Sequence, residues 1–186
     1  MTRFGQPNTT TLGNLTQPVG NMARTHIRQA LRQHPFTKGL PGLEKLEDLT
    51  EGVSFQEDQI VFAAGESSPY LYLLTSGSVC VEISASVYTV CIQALGPGKV
   101  FGWSSLLDQH NTAFRVRARE ASSALRLDAA RLAPLCREEP GLGVEIFHGL
   151  AELVGERLRS TEERLAEFCG VSCLPAGRRL NSCPHC

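Results

Sequence analysis

Apolar positions change their spacing twice along the chain. Residues 1–21 carry almost no periodic apolar signal and are rich in Thr, Asn, Gly and Pro, which predicts a flexible arm. From Met22 to Gln33, the placement of Met22, Ile27 and Leu31 predicts a short amphipathic helix. In "HPFTKGLPGLEKLEDL", Pro41 suits the first turn of a second helix, with Leu43, Leu46 and Leu49 on one face.

Period two then takes over. "SFQEDQIVFAAGE" alternates and turns at Gly65, "YLYLLTSG" ends at Gly77, and "TAFRVRARE" and "SALRLD" supply further strands. "SVCVEIS" and "VYTVCIQAL" read as a hairpin through the minimal turn Ala85-Ser86, closing Ser84 against Val87. In that register Cys80 faces Cys91 directly, a candidate redox pair whose alternative reading is two small strand thiols. Both share a face with Glu82, Thr89 and Gln93, opposite Val79, Val81 and Ile83. In "AFRVRAR", Phe114, Val116 and Ala118 are expected inward, sending Arg115, Arg117 and Arg119 to a solvated outer face. So many short strands with glycine punctuation predict a closed or nearly closed antiparallel barrel or jelly roll.

The last third is helical. "DAARLAPLCREEP" predicts a short helix with Asp128 as N-cap. Residues 141–168 predict one long helix with a heptad seam at Val144, Phe147, Ala151, Val154, Leu158, Thr161, Leu165 and Phe168. Ile146, Leu150 and Leu153 form a second stripe for docking on the β domain, and Arg157 and Glu162 take g and e positions. A full seam beyond a docking stripe predicts a homodimer through this helix; docking on its own domain with both stripes is the competing expectation. The organisation expected is an arm (1–21), a jelly roll with flanking helices (22–140), a dimerisation helix (141–168) and a Cys-rich tail (169–186). The fold class is mainly β with flanking helices: a double-stranded β-helix with N-terminal helices and a long C-terminal dimerisation helix.

Charge narrows the function. With 18 basic and 19 acidic residues the chain has no global attraction for nucleic acid or anionic lipid. No apolar run approaches the roughly 18–20 residues that span a bilayer, and the first twenty residues lack the apolar core of a secretory signal. The cytoplasm is the expected compartment, without membrane association. Neither a Ser/His/Asp or Cys/His order, nor a Walker loop, nor HExxH is present, so no enzyme is expected.

Seven cysteines, an odd count, point to thiols, metal or redox chemistry rather than a secreted disulfide framework. In "CGVSCLPAGRRLNSCPHC", Cys169, Cys173, Cys183 and Cys186 are spaced as C-x3-C, nine residues, C-x2-C. Four such thiolates suit zinc or an iron–sulfur cluster, with His185 an alternative ligand. A disordered tail, or an inter-subunit disulfide, is the competing expectation.

"HPFTKGL", "FAAGE" with Gly65, "LYLLTSGSVCVEI" with Gly77, "LGPGKVFG" with Gly98 and Gly102, "VRA" at 116–118 and the closing helix occur in a telling order. Over about His34 to Leu165 that order resembles the cyclic-nucleotide-binding domain of the CRP/FNR regulators and kinase regulatory subunits. The resemblance implies a phosphate-binding cassette after Gly102, where backbone amides meet a cyclic phosphate. It also implies a glutamate for the ribose hydroxyl and an arginine for the phosphate. Here Trp103 stands at the glutamate position and Thr112 at the arginine position. Ser104, Ser105 and Ala113 complete the degenerate cassette, and Phe114 replaces a small pocket-facing residue. Losing the charged pair forfeits roughly 1.5–3 kcal/mol. With the ribose acceptor also gone, cAMP or cGMP binding is expected to be lost or weakened by roughly two to three orders of magnitude. DNA-binding members continue into a winged helix-turn-helix, for which the eighteen residues after Phe168 are too few, so DNA binding in cis is not expected. The expected function is a non-catalytic regulatory or sensor module with a degenerate pocket, signalling through a dimer or a partner protein. A true cyclic-nucleotide receptor, or a metal or redox sensor working through the tail, are the alternatives.

Overall fold

Two four-stranded antiparallel sheets build the β domain, in the orders β1-β8-β3-β6 and β2-β7-β4-β5. The strands are β1 (Thr50–Phe55), β2 (Ile60–Phe62), β3 (Tyr70–Ser76), β4 (Val79–Ser84), β5 (Thr89–Leu95), β6 (Val100–Phe101), β7 (Arg115–Ala118) and β8 (Ser122–Asp128). Helices α1 (Arg24–Gln33) and α2 (Leu43–Glu47) precede them, and α3 (Ala129–Glu138) and α4 (Pro140–Phe168) follow. The computed structural model describes residues 24–66, 68–84, 88–107, 112 and 114–170. The expected arm, and the tail beyond Gly170, lie outside the described residues.

The jelly-roll reading holds, with the core between the two sheets. Val53, Phe55, Tyr72, Leu74, Phe101 and Ala124 from the first sheet meet Phe62, Val79, Val81, Leu95, Val116 and Ala118 from the second. The first sheet is buried on its other face as well. Leu71, Leu73, Leu125 and Leu127 are at most 1% exposed, and α1, α2 and α3 lie against β1 and β8. Double burial explains why "YLYLL" is a continuous apolar run instead of an alternating one.

Three local expectations need correction. "SFQEDQIVF" is not one strand: the chain turns at Gln56–Gln59 with Asp58 left-handed, so β1 and β2 enter different sheets. The second helix is only five residues long, starts after a left-handed Gly42 and excludes Pro41, although Leu46 and Leu49 are buried as expected. The hairpin closes later than the minimal turn requires. Ser84 pairs with Thr89 instead of Val87, and Glu82 pairs with Cys91, so Cys80 lies opposite Ala94. Asp128, by contrast, caps α3 as read, accepting from the Ala130 N–H at 2.9 Å.

α4 runs without a break over Pro140–Phe168. Its first turns hold Leu142 and Ile146, both 2% exposed, and Gly143 lies so close to the Cys136 carbonyl that a Cβ there would collide. From Phe147 on, the described residues belong to a second unit. Along the helix Val144, Phe147, Leu158, Leu165 and Phe168 are exposed. No helix among the described residues is long and apolar enough to cross a membrane.

Candidate functional site

The loop after β5 is set by two left-handed glycines. Gly98 (φ 82°) donates to the Leu74 carbonyl at 2.8 Å and sits over the Pro35 ring of "HPFTKGL". Gly102 (φ 75°) starts a short 3-10 helix, Trp103–Leu106, against β3 and α3. A Cβ on Gly102 would come within 2.6 Å of the Tyr70 carbonyl, so the position requires glycine for space as well as for its dihedral. The turn before the sheets is held by its own residues. Thr37 Oγ1 donates to the Leu31 carbonyl at 2.5 Å, and the Phe36 N–H donates to His34 Nδ1 at 3.2 Å. Burial pushes His34 below its ordinary imidazole value, partly offset by the nearby backbone of Leu74 and Lys99.

The polar groups of the predicted cassette turn back on their own loop. Ser105 donates to the Gly102 carbonyl from both its N–H (3.1 Å) and its hydroxyl (2.7 Å). The Thr112 hydroxyl accepts from the Phe114 N–H at 3.2 Å, while the Thr112 carbonyl accepts from the Gly65 N–H at 2.7 Å. Phe114 packs against the inter-sheet core. Trp103 and Ser104 are half-buried, and Ala113 lies outside the described residues. From Gly102 to Phe114 the sequence contains no Lys or Arg, and its one formal charge, Asp108, is negative.

Arg115 and Arg117 point away from this loop, as the alternation predicts, but they do not form a solvated face. Glu82, only 1% exposed, lies beneath them. Arg115 Nε donates to its Oε2 at 2.6 Å, and Arg117 Nε and Nη2 donate to its Oε1 at 2.8 and 2.6 Å. Arg117 also binds Asp58. Burial alone would raise the Glu82 carboxyl; hydrogen bonds from Arg117 and Arg115 outweigh it and hold the group below its ordinary range. Glu82 was missed as a site residue. A lone carboxylate in "VCVEIS", with Arg-x-Arg on a strand able to pair with it, was the available signal.

The cysteines divide the same way. Cys80 and Cys91 form a disulfide with Cα atoms 5.9 Å apart. The direct pairing expected for them is replaced by a diagonal one across a register shift. Cys169 is an exposed free thiol, while Cys173, Cys183 and Cys186 lie outside the described residues. Elsewhere, a cleft of about 410 Å³ between α1 and α2 is lined by Arg28, Arg32, Leu40, Leu43, Glu44 and Glu47, with Arg28 bound in bidentate fashion to Glu47. It is unconnected with the predicted cassette.

Residues 52–139 match the family model of the cyclic nucleotide-binding domain. Among solved structures, the chain is similar to a cyclic nucleotide-binding domain from Methylobacillus flagellatus KT (19% identity, 78% of this chain and 83% of that one, TM-score 0.66). It is similar to the Thermus thermophilus catabolite activator protein (26% identity, TM-score 0.59), covering 73% of this chain and 63% of that one. It is also similar to the regulatory subunit of a cAMP-independent protein kinase A from Trypanosoma brucei (22% identity, 64% and 48% covered, TM-score 0.51). No curated protein is similar enough to the chain to count as a relative.

Proposed function

We propose that the chain, whose residues 52–139 match the family model of the cyclic nucleotide-binding domain, is a non-catalytic regulatory module whose nucleotide pocket has lost its grip on the cyclic phosphate. One observation carries this reading. The segment from Gly102 to Phe114 contains no Lys or Arg, and the guanidiniums that follow it, Arg115 and Arg117, are committed to Glu82 on the opposite face of β7. A cyclic phosphate would meet backbone amides alone, without the charge-assisted pair that dominates such sites. Phe114, packed on the core, replaces a small residue of the family pattern. Titration calorimetry with cAMP and cGMP tests this. No heat of binding up to high-micromolar ligand is expected; a low-micromolar Kd for either nucleotide would establish a working receptor using its amides alone.

The output route proposed is a second copy of the chain on α4. Val144, Phe147, Leu158, Leu165 and Phe168 are exposed at seam positions, and an a/d seam of this length is the usual signature of a parallel pair. Sedimentation should give a dimer that Leu158→Glu with Leu165→Glu converts to monomer. A monomer in the unaltered chain at high concentration removes this part of the proposal.

A further inference from the structure

We propose that Cys91 is a reversible S-thiolation site for low-molecular-weight thiols, with Cys80 as its resolving cysteine. The observations are independent of the nucleotide pocket. Diagonal neighbours on antiparallel strands lie about 7–8 Å apart. Cys80 is diagonal to Cys91, because its direct partner is Ala94 and Glu82 is the direct partner of Cys91. The extra residue between these pairs, Ile92, bulges β5 and brings the two cysteine Cα atoms to 5.9 Å, inside the range of about 4.4–6.8 Å that a disulfide spans. An unbulged strand would not make this bond, so the irregularity builds the pair.

The two sulfurs differ in access. Cys80 is 1% exposed on β4, flanked by β7 and β5. Cys91 is exposed on β5, the edge strand of its sheet. An outside thiolate therefore reaches the Cys91 sulfur first, and exchange rate follows access to the attacked sulfur. The thiolate electron pair forms the new S–S bond to Cys91 Sγ. The pair of the old bond leaves on Cys80 Sγ, which takes a proton from water and ends as a thiol. The reverse step returns the outside thiol and restores the Cys80–Cys91 bond, because the strand ladder keeps Cys80 in reach.

The full chain, Cys80→Ser and Cys91→Ser are treated with oxidised glutathione and mapped by peptide mass spectrometry, with thermal melts as the check on folding. Cys80→Ser should accumulate glutathione on Cys91. Cys91→Ser should acquire it at Cys80 at least about tenfold more slowly, in line with its burial. The unaltered chain should return the linked 80–91 peptide with little adduct. Equal labelling of Cys80 and Cys91 in the two variants would overturn the proposal. So would a lasting adduct in the unaltered chain, or free alkylation of both thiols in protein prepared without reductant. Should Cys80→Ser fail to fold, the unaltered chain pulsed with reduced glutathione and quenched by alkylation decides the question: an adduct trapped on residue 91 supports the proposal, and one trapped on residue 80 overturns it.

Discussion

The two faces of β7 carry opposite chemistry one residue apart. Inward, Val116 and Ala118, with Phe114 just ahead of the strand, pack into the inter-sheet core. Outward, Arg115 and Arg117 close over a buried glutamate. Strand parity, and not local abundance of arginine, decides whether a cation can serve the space between the sheets. Arginines stand within three residues of Phe114, yet bringing either to the inner face would need a one-residue slip that also expels Val116 and Ala118. The charges of β7 hold β4 against it, while its inner face is apolar.

The most severe way to break that contrast is to remove the cations and leave the carboxylate. Arg115→Ala with Arg117→Ala strands Glu82 in a buried position, and losing the partners of a buried charge costs about 3–5 kcal/mol. Urea unfolding should show a midpoint lowered accordingly. A loss below about 1 kcal/mol would mean that the pairs behave like ordinary surface ion pairs. Second in size, Gly102→Ala attacks the inner loop. A left-handed alanine costs about 1–3 kcal/mol, to which the approach to the Tyr70 carbonyl adds. Its melting temperature should fall, with the Glu82 cluster untouched.

How much of this was legible follows from where the information resides. The inner face was readable because alternation and burial agree at Val116 and Ala118, and left-handed glycines announce the turns at Gly98 and Gly102. The outer face was not. That Arg115 and Arg117 are engaged depends on β4 lying beside β7 with Glu82 opposite Arg115, a pairing between strands more than thirty residues apart. The Cys80–Cys91 contact was anticipated through the wrong register. A bulge at Ile92 has no local signature in "VYTVCIQAL", and the longer turn shifted every partner. The split of "SFQEDQIVF" between two sheets escaped for a similar reason, since alternation persists across the turn at Asp58.

Restoring charge to the inner face sharpens the contrast from the other side. Trp103→Glu with Thr112→Arg returns the family's polar pair to a loop whose glycines are in place. Phe114 still occupies the core-facing side, so the gain in cAMP affinity should be about 1.5 kcal/mol, roughly tenfold, read by NMR titration with millimolar cAMP against the unaltered chain. No gain at all would mean that aromatic bulk, and not missing charge, closes the pocket.

The smallest effect is a slope. His34 lies below its ordinary value of 6.5 because it is buried, and Glu82 lies below 4.5 because hydrogen bonds from Arg117 and Arg115 overcome its desolvation. In both cases the unfolded chain takes up the proton first, so stability falls as pH falls. The windows differ. His34 begins to cost stability once pH drops below about 6.5. The Glu82 contribution is complete above about 4.5 and is lost only as pH falls through its depressed folded value. Glu82→Gln keeps the shape and removes the titration. Unfolding free energy measured from pH 7 to 3 should then lie below that of the unaltered chain near neutrality, run parallel to it in the upper limb and lose steepness in the lower one. Identical lower limbs would mean that the carboxylate under Arg115 and Arg117 is not held below its ordinary range, and the outer face of β7 would then be no more electrostatically committed than the inner.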